Sequence, residues 1–194
     1  MQKLIFFVGV AGTGKTTVAK QAASWIPAAF LDRDTVGGRF VEAFLQNKGM
    51  DPNDRDSPFY KETLRNLEYD TTRDICVENL AAGQNVFMIS PFTSELKSAS
   101  WLASLLKEAG KTQEEVDVKV VVVTLTDASE QKDRISSRQT IRDTWKLDNW
   151  NDYEQRVQFV PDIQWRIPSS HILVFDNSGE LTNEKKEQLR LFLG

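Results

Sequence analysis

The sequence contains little of what marks secreted, membrane-spanning or broadly nucleic-acid-binding proteins. Its 194 residues include one cysteine, Cys76, so no disulfide forms within the chain, and a reducing cytoplasm is the expected setting. The net charge of -4 argues against a broad basic surface for nucleic acid. No apolar run approaches the roughly 20 residues that cross a membrane. We therefore expect neither a membrane partner nor a broad nucleic-acid surface, while the oligomeric state stays open.

The length fits a single domain over 1–194, with a core of useful size. Near the N-terminus, Lys3 precedes the apolar run "LIFFVGVA", which has the order of a signal peptide. The run is very short, however, and leads into "GTGKTT" without an obvious small-residue cleavage site. We interpret it as a buried strand.

Short apolar runs alternate with longer amphipathic stretches along the whole chain. This alternation predicts an α/β fold in which helices cover both faces of a parallel sheet. The predicted strands are 3–9, 28–32, 85–90, 118–125 and 171–176. The predicted helices are 15–25, 36–48, 57–82, 94–109, 128–146, 150–158 and 182–193.

A phosphate-binding motif follows the first predicted strand and begins the first predicted helix. Gly9, Gly14, Lys15 and Thr16 match G-x-x-x-x-G-K-[ST]. Glycines allow the backbone N–H groups to approach phosphate oxygens, the lysine reaches the β- and γ-phosphates, and the threonine hydroxyl ligates Mg²⁺. A plain glycine turn requires neither Lys nor Thr at this spacing. The predicted ATP-binding segment comprises Gly9, Ala11, Gly12, Thr13, Gly14, Lys15, Thr16 and Thr17.

Two acids, Asp32 and Asp34, follow the second predicted strand, on the rim of the sheet where ligands bind. Such an acid either takes a proton from an acceptor hydroxyl or holds Mg²⁺. The alternative is a helix cap, with Asp34 capping a helix that begins near Val36. The third strand ends at Ser90 instead of an acid, which leaves the metal to Thr16, water and Asp32.

Arg134, Arg138 and Arg142 recur every four residues after the fourth predicted strand. On one continuous helix they lie along one face. Such a row either stabilises the charge of a transferring phosphate or forms a solvated face with ion pairs to Asp133 and Asp143.

Together, "GVAGTGKTT", "LDRD" and the R-x3-R-x3-R-D pattern resemble the small P-loop kinases. These include gluconate kinase, shikimate kinase, chloramphenicol phosphotransferase, the zeta-toxin kinases and the nucleoside monophosphate kinases. The resemblance implies a three-layer P-loop NTPase fold with a five-stranded parallel sheet and a helical lid. It implies an ATP- and Mg²⁺-dependent phosphotransferase acting on a small-molecule acceptor. It does not assign a subfamily.

The resemblance also implies residue roles. Residues 127–146 are similar to the lid that closes over ATP, with Arg134, Arg138 and Arg142 as phosphate clamps. Asp34 corresponds to the position of a catalytic base in several members. Asn177 lies in the segment that packs near the adenine.

The acceptor pocket is the least determined part of the prediction. We expect an insertion at about 35–82 to contribute to it, and the phosphorylated group is either a hydroxyl or a phosphate. Candidate contacts are Arg39, Phe40, Phe44, Tyr60, Arg65 and Tyr69, although helical spacing also suits Phe40 and Phe44 to a core. A nucleotide kinase, or an ATPase or nucleotide-binding protein without an acceptor, remains an alternative.

Overall fold

A five-stranded sheet forms the centre of the molecule in a computed structural model that describes residues 1–138 and 140–194. All neighbouring strands are parallel, in the order β2-β3-β1-β4-β5. The strands are β1 (Gln2–Val8), β2 (Ala29–Asp32), β3 (Val86–Ile89), β4 (Val116–Thr124) and β5 (Ile172–Asp176). The predicted α/β class and the five parallel strands are confirmed.

Helices cover both faces of the sheet. They are α1 (Lys15–Ala23), α2 (Arg33–Asn47), α3 (Arg65–Ala81), α4 (Trp101–Glu108), α5 (Ala128–Ser137), α6 (Thr144–Asp148), α7 (Trp150–Arg156) and α8 (Asn183–Leu193). A π-helical turn, Tyr60–Leu64, leads into α3, and 3-10 turns cover Ile141–Asp143 and Ser169–His171. Among the described residues, no helix combines the length and apolar character that a bilayer crossing requires.

The central strand β1 explains why the strands read as continuous apolar runs. Phe6 and Phe7 are both fully buried, yet they belong to cores on opposite faces of the sheet. Successive side chains of a strand alternate between faces, so a strand covered on both sides needs apolar residues throughout. The carboxyl ends of the parallel strands consequently lie on one rim, beside the N-termini of α1 and α2.

The predicted helix 128–146 is wrong as one continuous element. α5 ends at Ser137, and Thr140 has extended backbone angles (φ −90°, ψ 128°). Its hydroxyl donates to Asp143 at 2.8 Å, and the Asp143 N–H donates to the Thr140 carbonyl at 3.0 Å. Short polar side chains that bond nearby groups compete with helix formation. The three arginines at 134, 138 and 142 therefore do not share one helical face.

The starts of α2 and α4 also differ from the prediction. α2 begins at Arg33, three residues before the predicted start, because Asp32 supplies the N-cap by accepting a bond from the Asp34 N–H at 3.1 Å. The alternative of Asp34 as the cap is thereby wrong. The predicted helix 94–109 begins only at Trp101, after a series of turns.

Candidate active site

The phosphate loop joins β1 to α1 with three glycines in left-handed backbone conformations. Gly9, Gly12 and Gly14 have φ values of 141°, 86° and 86°. A Cβ at Gly12 would lie 2.9 Å from the Gln131 side chain, and one at Gly14 would collide with the amide of Asn177. The loop thus adopts the glycine-dependent cradle that phosphate binding requires.

Two amide side chains hold this loop from the side of β4 and β5. Asn177 is 5% exposed, and its Nδ2 donates to the Thr13 carbonyl at 2.8 Å. Gln131 donates to the Ala11 carbonyl at 2.6 Å. Arg134 lies next to them and donates to the Asn177 carbonyl at 2.7 Å and to Glu130 at 2.7 Å. Gln131 cannot be identified from the sequence, because nothing in its local sequence distinguishes it from an ordinary helical glutamine.

Lys15 lies folded back on the phosphate loop, where its Nζ donates to the Val10 carbonyl at 2.9 Å. Burial in the cleft lowers the pKa of Lys15 to about 8; Asp34 and Asp32 oppose this change, while Arg138 and Arg33 add to it. An anion placed beside such a lysine raises its pKa again, because the anion stabilises the charged form of the side chain.

Thr16 and Asp32, the predicted metal pair, are in direct contact. The Thr16 hydroxyl donates to Asp32 Oδ2 at 2.8 Å. No group of three or more histidine, cysteine, aspartate or glutamate side chains that could hold a metal occurs in the described part of the chain. Two oxygen ligands from the protein fit a Mg²⁺ that keeps several waters and phosphate oxygens in its coordination shell.

Asp34 begins α2 and faces the same cleft. Its Oδ1 accepts a bond from Arg33 Nη2 at 2.8 Å, and its side chain is 60% exposed. Partial burial raises the pKa of Asp34, but the charge and hydrogen bond of Arg33 outweigh this, and Lys15 and Arg142 add to the decrease. The pKa therefore lies below its usual range, so the carboxylate is ionised at neutral pH.

One cleft of about 820 Å³ joins the phosphate loop to the helices on its open side. Of the predicted site residues, it is lined by Ala11, Gly14, Lys15, Thr16, Thr17, Asp32, Asp34, Tyr60, Arg65, Tyr69, Arg138 and Arg142. Arg138 is exposed, whereas Arg142 forms an ion pair with Glu42 of α2. Arg39, Phe40 and Phe44 do not line it, and Phe40 is 80% exposed, so it is not a core residue either.

Part of the cleft wall is rich in arginine and tyrosine. Guanidinium groups lie on the ring of Tyr69, with Arg65 at 4.1 Å and Arg33 at 5.1 Å from its centroid. Arg65 also forms an ion pair with Glu95 at 3.1 Å. These contacts place guanidinium groups on the wall of the cleft, where Arg65 is paired with Glu95 and both Arg33 and Arg65 contact the ring of Tyr69.

A family model described as an AAA domain matches residues 4–160, which is most of the chain. The chain belongs to the AAA domain family. No curated protein matches the sequence.

Solved structures share the fold of this AAA domain protein at low sequence identity. A candidate kinase from Chloroflexus aurantiacus is 17% identical with a TM-score of 0.68, over 98% of this chain and 93% of that one. A gluconokinase from Sinorhizobium meliloti is 14% identical with a TM-score of 0.52, over 99% and 91% of the two chains. A sugar kinase from Janibacter is 19% identical with a TM-score of 0.51, over 97% and 90%. The predicted likeness to small P-loop kinases is confirmed for the fold.

Proposed function

We propose that the protein is an ATP- and Mg²⁺-dependent kinase that transfers the γ-phosphoryl group of ATP to a hydroxyl of a small molecule. The observation that carries this proposal is that Lys15, Thr16, Asp34 and Arg138 all line the same cleft. A nucleotide-binding protein without transfer needs the first two side chains. It has no need for a carboxylate placed beside them on the acceptor side.

Each side chain takes one part of the reaction. Lys15 neutralises the phosphates of ATP, and Arg138 stabilises negative charge on the transferring group. Asp34 orients the acceptor hydroxyl and takes its proton as the oxygen bonds to phosphorus and the bond to ADP breaks. Thr16 and Asp32 would hold Mg²⁺, whose charge helps to neutralise the phosphates.

We also propose how the chain is divided between these tasks. The chain acts as one domain over 1–194, with an acceptor-side insertion at about 35–82 and a lid at about 127–146. Arg138 and Arg142 both line the cleft, which supports the proposal that the segment containing them acts as its lid. The free, buried thiol of Cys76 supports a cytoplasmic location.

Transfer of label from [γ-³²P]ATP into a library of hydroxy acids, polyols, sugars and nucleosides tests the proposal. We expect labelled product that requires Mg²⁺, with the wild-type protein and with the control variant Arg190→Gln. Arg190 is exposed on α8, whose last turn contacts the start of β1 through Lys3 and Leu193, at the end of the sheet away from the cleft. Label that appears only as inorganic phosphate with every acceptor would contradict the kinase.

A nucleotide kinase with a phosphate acceptor is the second candidate. The observation that favours it is the set of guanidinium groups on the acceptor wall, Arg33, Arg55 and Arg65. A phosphate acceptor is already ionised and needs cations more than it needs a base. Nucleoside monophosphates in the same library separate the two, because their labelled product is a diphosphate.

A further inference from the structure

Arg55 lines the cleft, and only one of the two terminal nitrogens of its guanidinium group has hydrogen-bond partners. Its Nη1 donates to two carbonyls of its own loop, Pro52 at 3.0 Å and Asp54 at 2.8 Å. Its carbon atom Cζ lies 5.3 Å from the centroid of the Tyr60 ring. Its Nη2 is buried and has no hydrogen-bond partner among the described residues. These contacts fix the orientation of the guanidinium and leave one nitrogen, with two N–H groups, for a ligand.

Arg55 also differs from Arg33, Arg65 and Arg142 in lacking a carboxylate partner. Arg33 pairs with Asp34, Arg65 with Glu95, and Arg142 with Glu42. Within the described chain, no carboxylate lies within 4.0 Å of Arg55.

The charge of Arg55 is consequently destabilised where it stands. Burial and the nearby charge of Arg142 lower the pKa of Arg55, and the more weakly acting Glu68, Tyr60 and Asp34 oppose the change. An unpaired buried donor costs roughly 1–3 kcal/mol, and more when the group is charged. An anion bound to Arg55 in the cleft removes that cost.

Arg55 is placed to contact an acceptor rather than ATP. It lines the active-site cleft and also an adjoining groove of about 570 Å³, which extends between the loop at Asp51–Ser57 and the helix containing Trp145. The π-helical turn Tyr60–Leu64 presents the Tyr60 ring beneath it, and its hydroxyl bonds to Glu68 at 2.5 Å. π-helical turns are rare and frequently occur at functional sites.

We infer that Arg55 binds an anionic group of the acceptor, a carboxylate or a phosphate monoester, and that the acceptor is therefore a hydroxy acid or a phosphorylated alcohol and not a neutral polyol. This assignment of substrate class rests on the proposed function. Arg55 is therefore a specificity-determining residue. It binds a part of the acceptor that does not react, while Asp34 faces the hydroxyl that does.

Binding to the protein saturated with Mg²⁺ and a non-hydrolysable ATP analogue tests the inference, because the analogue fills the phosphate loop. The probes are matched pairs, D-gluconate with D-sorbitol and glycerol 3-phosphate with glycerol, measured by calorimetry. We expect the wild-type protein to prefer at least one anion over its neutral partner by about tenfold or more. Gluconate binding alone indicates a carboxylate site, and glycerol 3-phosphate binding alone a phosphate site.

Arg55→Gln should abolish this preference, Arg55→Lys should retain part of it, and Arg190→Gln should leave it unchanged. A lower melting temperature of Arg55→Gln with an unchanged preference would make Arg55 a structural loop residue. Equal binding of anions and neutral partners by the wild-type protein would also overturn the inference.

Transfer of label from [γ-³²P]ATP to the same probes, in parallel samples without the analogue, separates this inference from the proposed function. Anion binding that depends on Arg55, without any transfer, would contradict the kinase and leave the anion site in place. Transfer to sorbitol or glycerol at the same rate in wild type and Arg55→Gln would support the kinase and overturn the anionic acceptor.

Discussion

Lys15 shows how a functional group is kept at a cost to stability. Burial lowers its pKa to about 8 from the 10.5 of a free lysine, so its charged form is unfavourable in the folded protein. We expect Lys15→Met to abolish phosphoryl transfer and to raise the melting temperature at pH 7 by roughly 5 °C in the absence of nucleotide. Calorimetric melting and the transfer assay measure the two effects.

The pH dependence of that gain has a definite sign. Below about pH 8, Lys15 is protonated in both the folded and the unfolded state, and the folded state carries the full penalty. Between the two pKa values the unfolded state binds more protons, so wild-type stability rises with pH. The advantage of Lys15→Met should therefore shrink as pH rises through this window. A variant less stable than wild type at pH 7 would show that Lys15 contributes packing instead of strain.

Asp32 and Asp34 have separable roles. Asp34 lines the cleft and pairs with Arg33, whereas Asp32 accepts a hydrogen bond from the Thr16 hydroxyl and caps α2. We expect Asp34→Asn to keep ATP affinity within a few-fold and to reduce transfer at least about a hundredfold, since it retains size but not basicity.

Asp32→Asn should reduce transfer less and raise the Mg²⁺ concentration needed for half-maximal rate. Calorimetric ATP binding beside a Mg²⁺ titration of the rate checks both variants. Undiminished transfer by Asp34→Asn would remove the base, and loss of ATP–Mg²⁺ binding by that variant would make Asp34 a metal residue.

Residues that belong to a spaced motif were predictable, and residues defined by their three-dimensional surroundings were not. Lys15 and Thr16 follow from glycine spacing after a strand. The hydrogen bonds of Arg55 and the contact of Gln131 with Ala11 depend on which carbonyls and rings come close in the fold. The contact of Asp32 with Thr16 fits the expected parallel sheet, because the end of β2 and the phosphate loop lie on the same rim.

Among the helices, the break after α5 decides what each arginine can do. Arg134 donates to the carbonyls of Asn177 and Gly179 after β5 and to Glu130 of its own helix. Arg142 is paired with Glu42, whereas Arg138 is exposed and has no ion pair in the described chain. We expect Arg138→Ala to reduce kcat by a factor of about 10³ while the melting temperature changes little. Steady-state kinetics and thermal melting test this, with Arg190→Ala as the matched control.

A normal kcat in Arg138→Ala would exclude a role in transfer. A large loss of thermal stability would instead show a structural contact. The periodicity that predicted one helical face could not reveal this difference, because the spacing of the arginines does not show that Thr140 and Asp143 bond to each other and interrupt the helix. The strands were easier to predict, since burial on both faces leaves a continuous apolar run.

Over the whole molecule, the segment before β5 connects the core to the arginine-rich wall of the cleft that we propose binds the acceptor. Trp165 is 4% exposed, packs edge-on against Phe6 at 4.7 Å and donates its indole N–H to the Glu95 carbonyl at 2.9 Å. Glu95 in turn holds Arg65. We expect Trp165→Phe to reduce the free energy of unfolding by about 2 kcal/mol, because it leaves the Glu95 carbonyl unpaired.

The same variant should raise KM for the acceptor more than KM for ATP. Denaturant unfolding and kinetics with both substrates varied provide the measurement. Equal changes in the two KM values would indicate a general loss of structure in place of a local effect on the acceptor wall.

The order of strands in the sheet sets the time at which this site is completed during synthesis. The phosphate loop is translated before β3 and β4, the two strands between which β1 lies in the sheet. The loop is also bonded to Asn177, which lies 164 residues beyond Thr13 in the sequence. Because contacts so distant in sequence form late, a nascent chain carries the nucleotide motif long before it gains the ability to bind nucleotide. A ribosome-bound fragment ending before β4 should therefore not be retained on ATP-agarose.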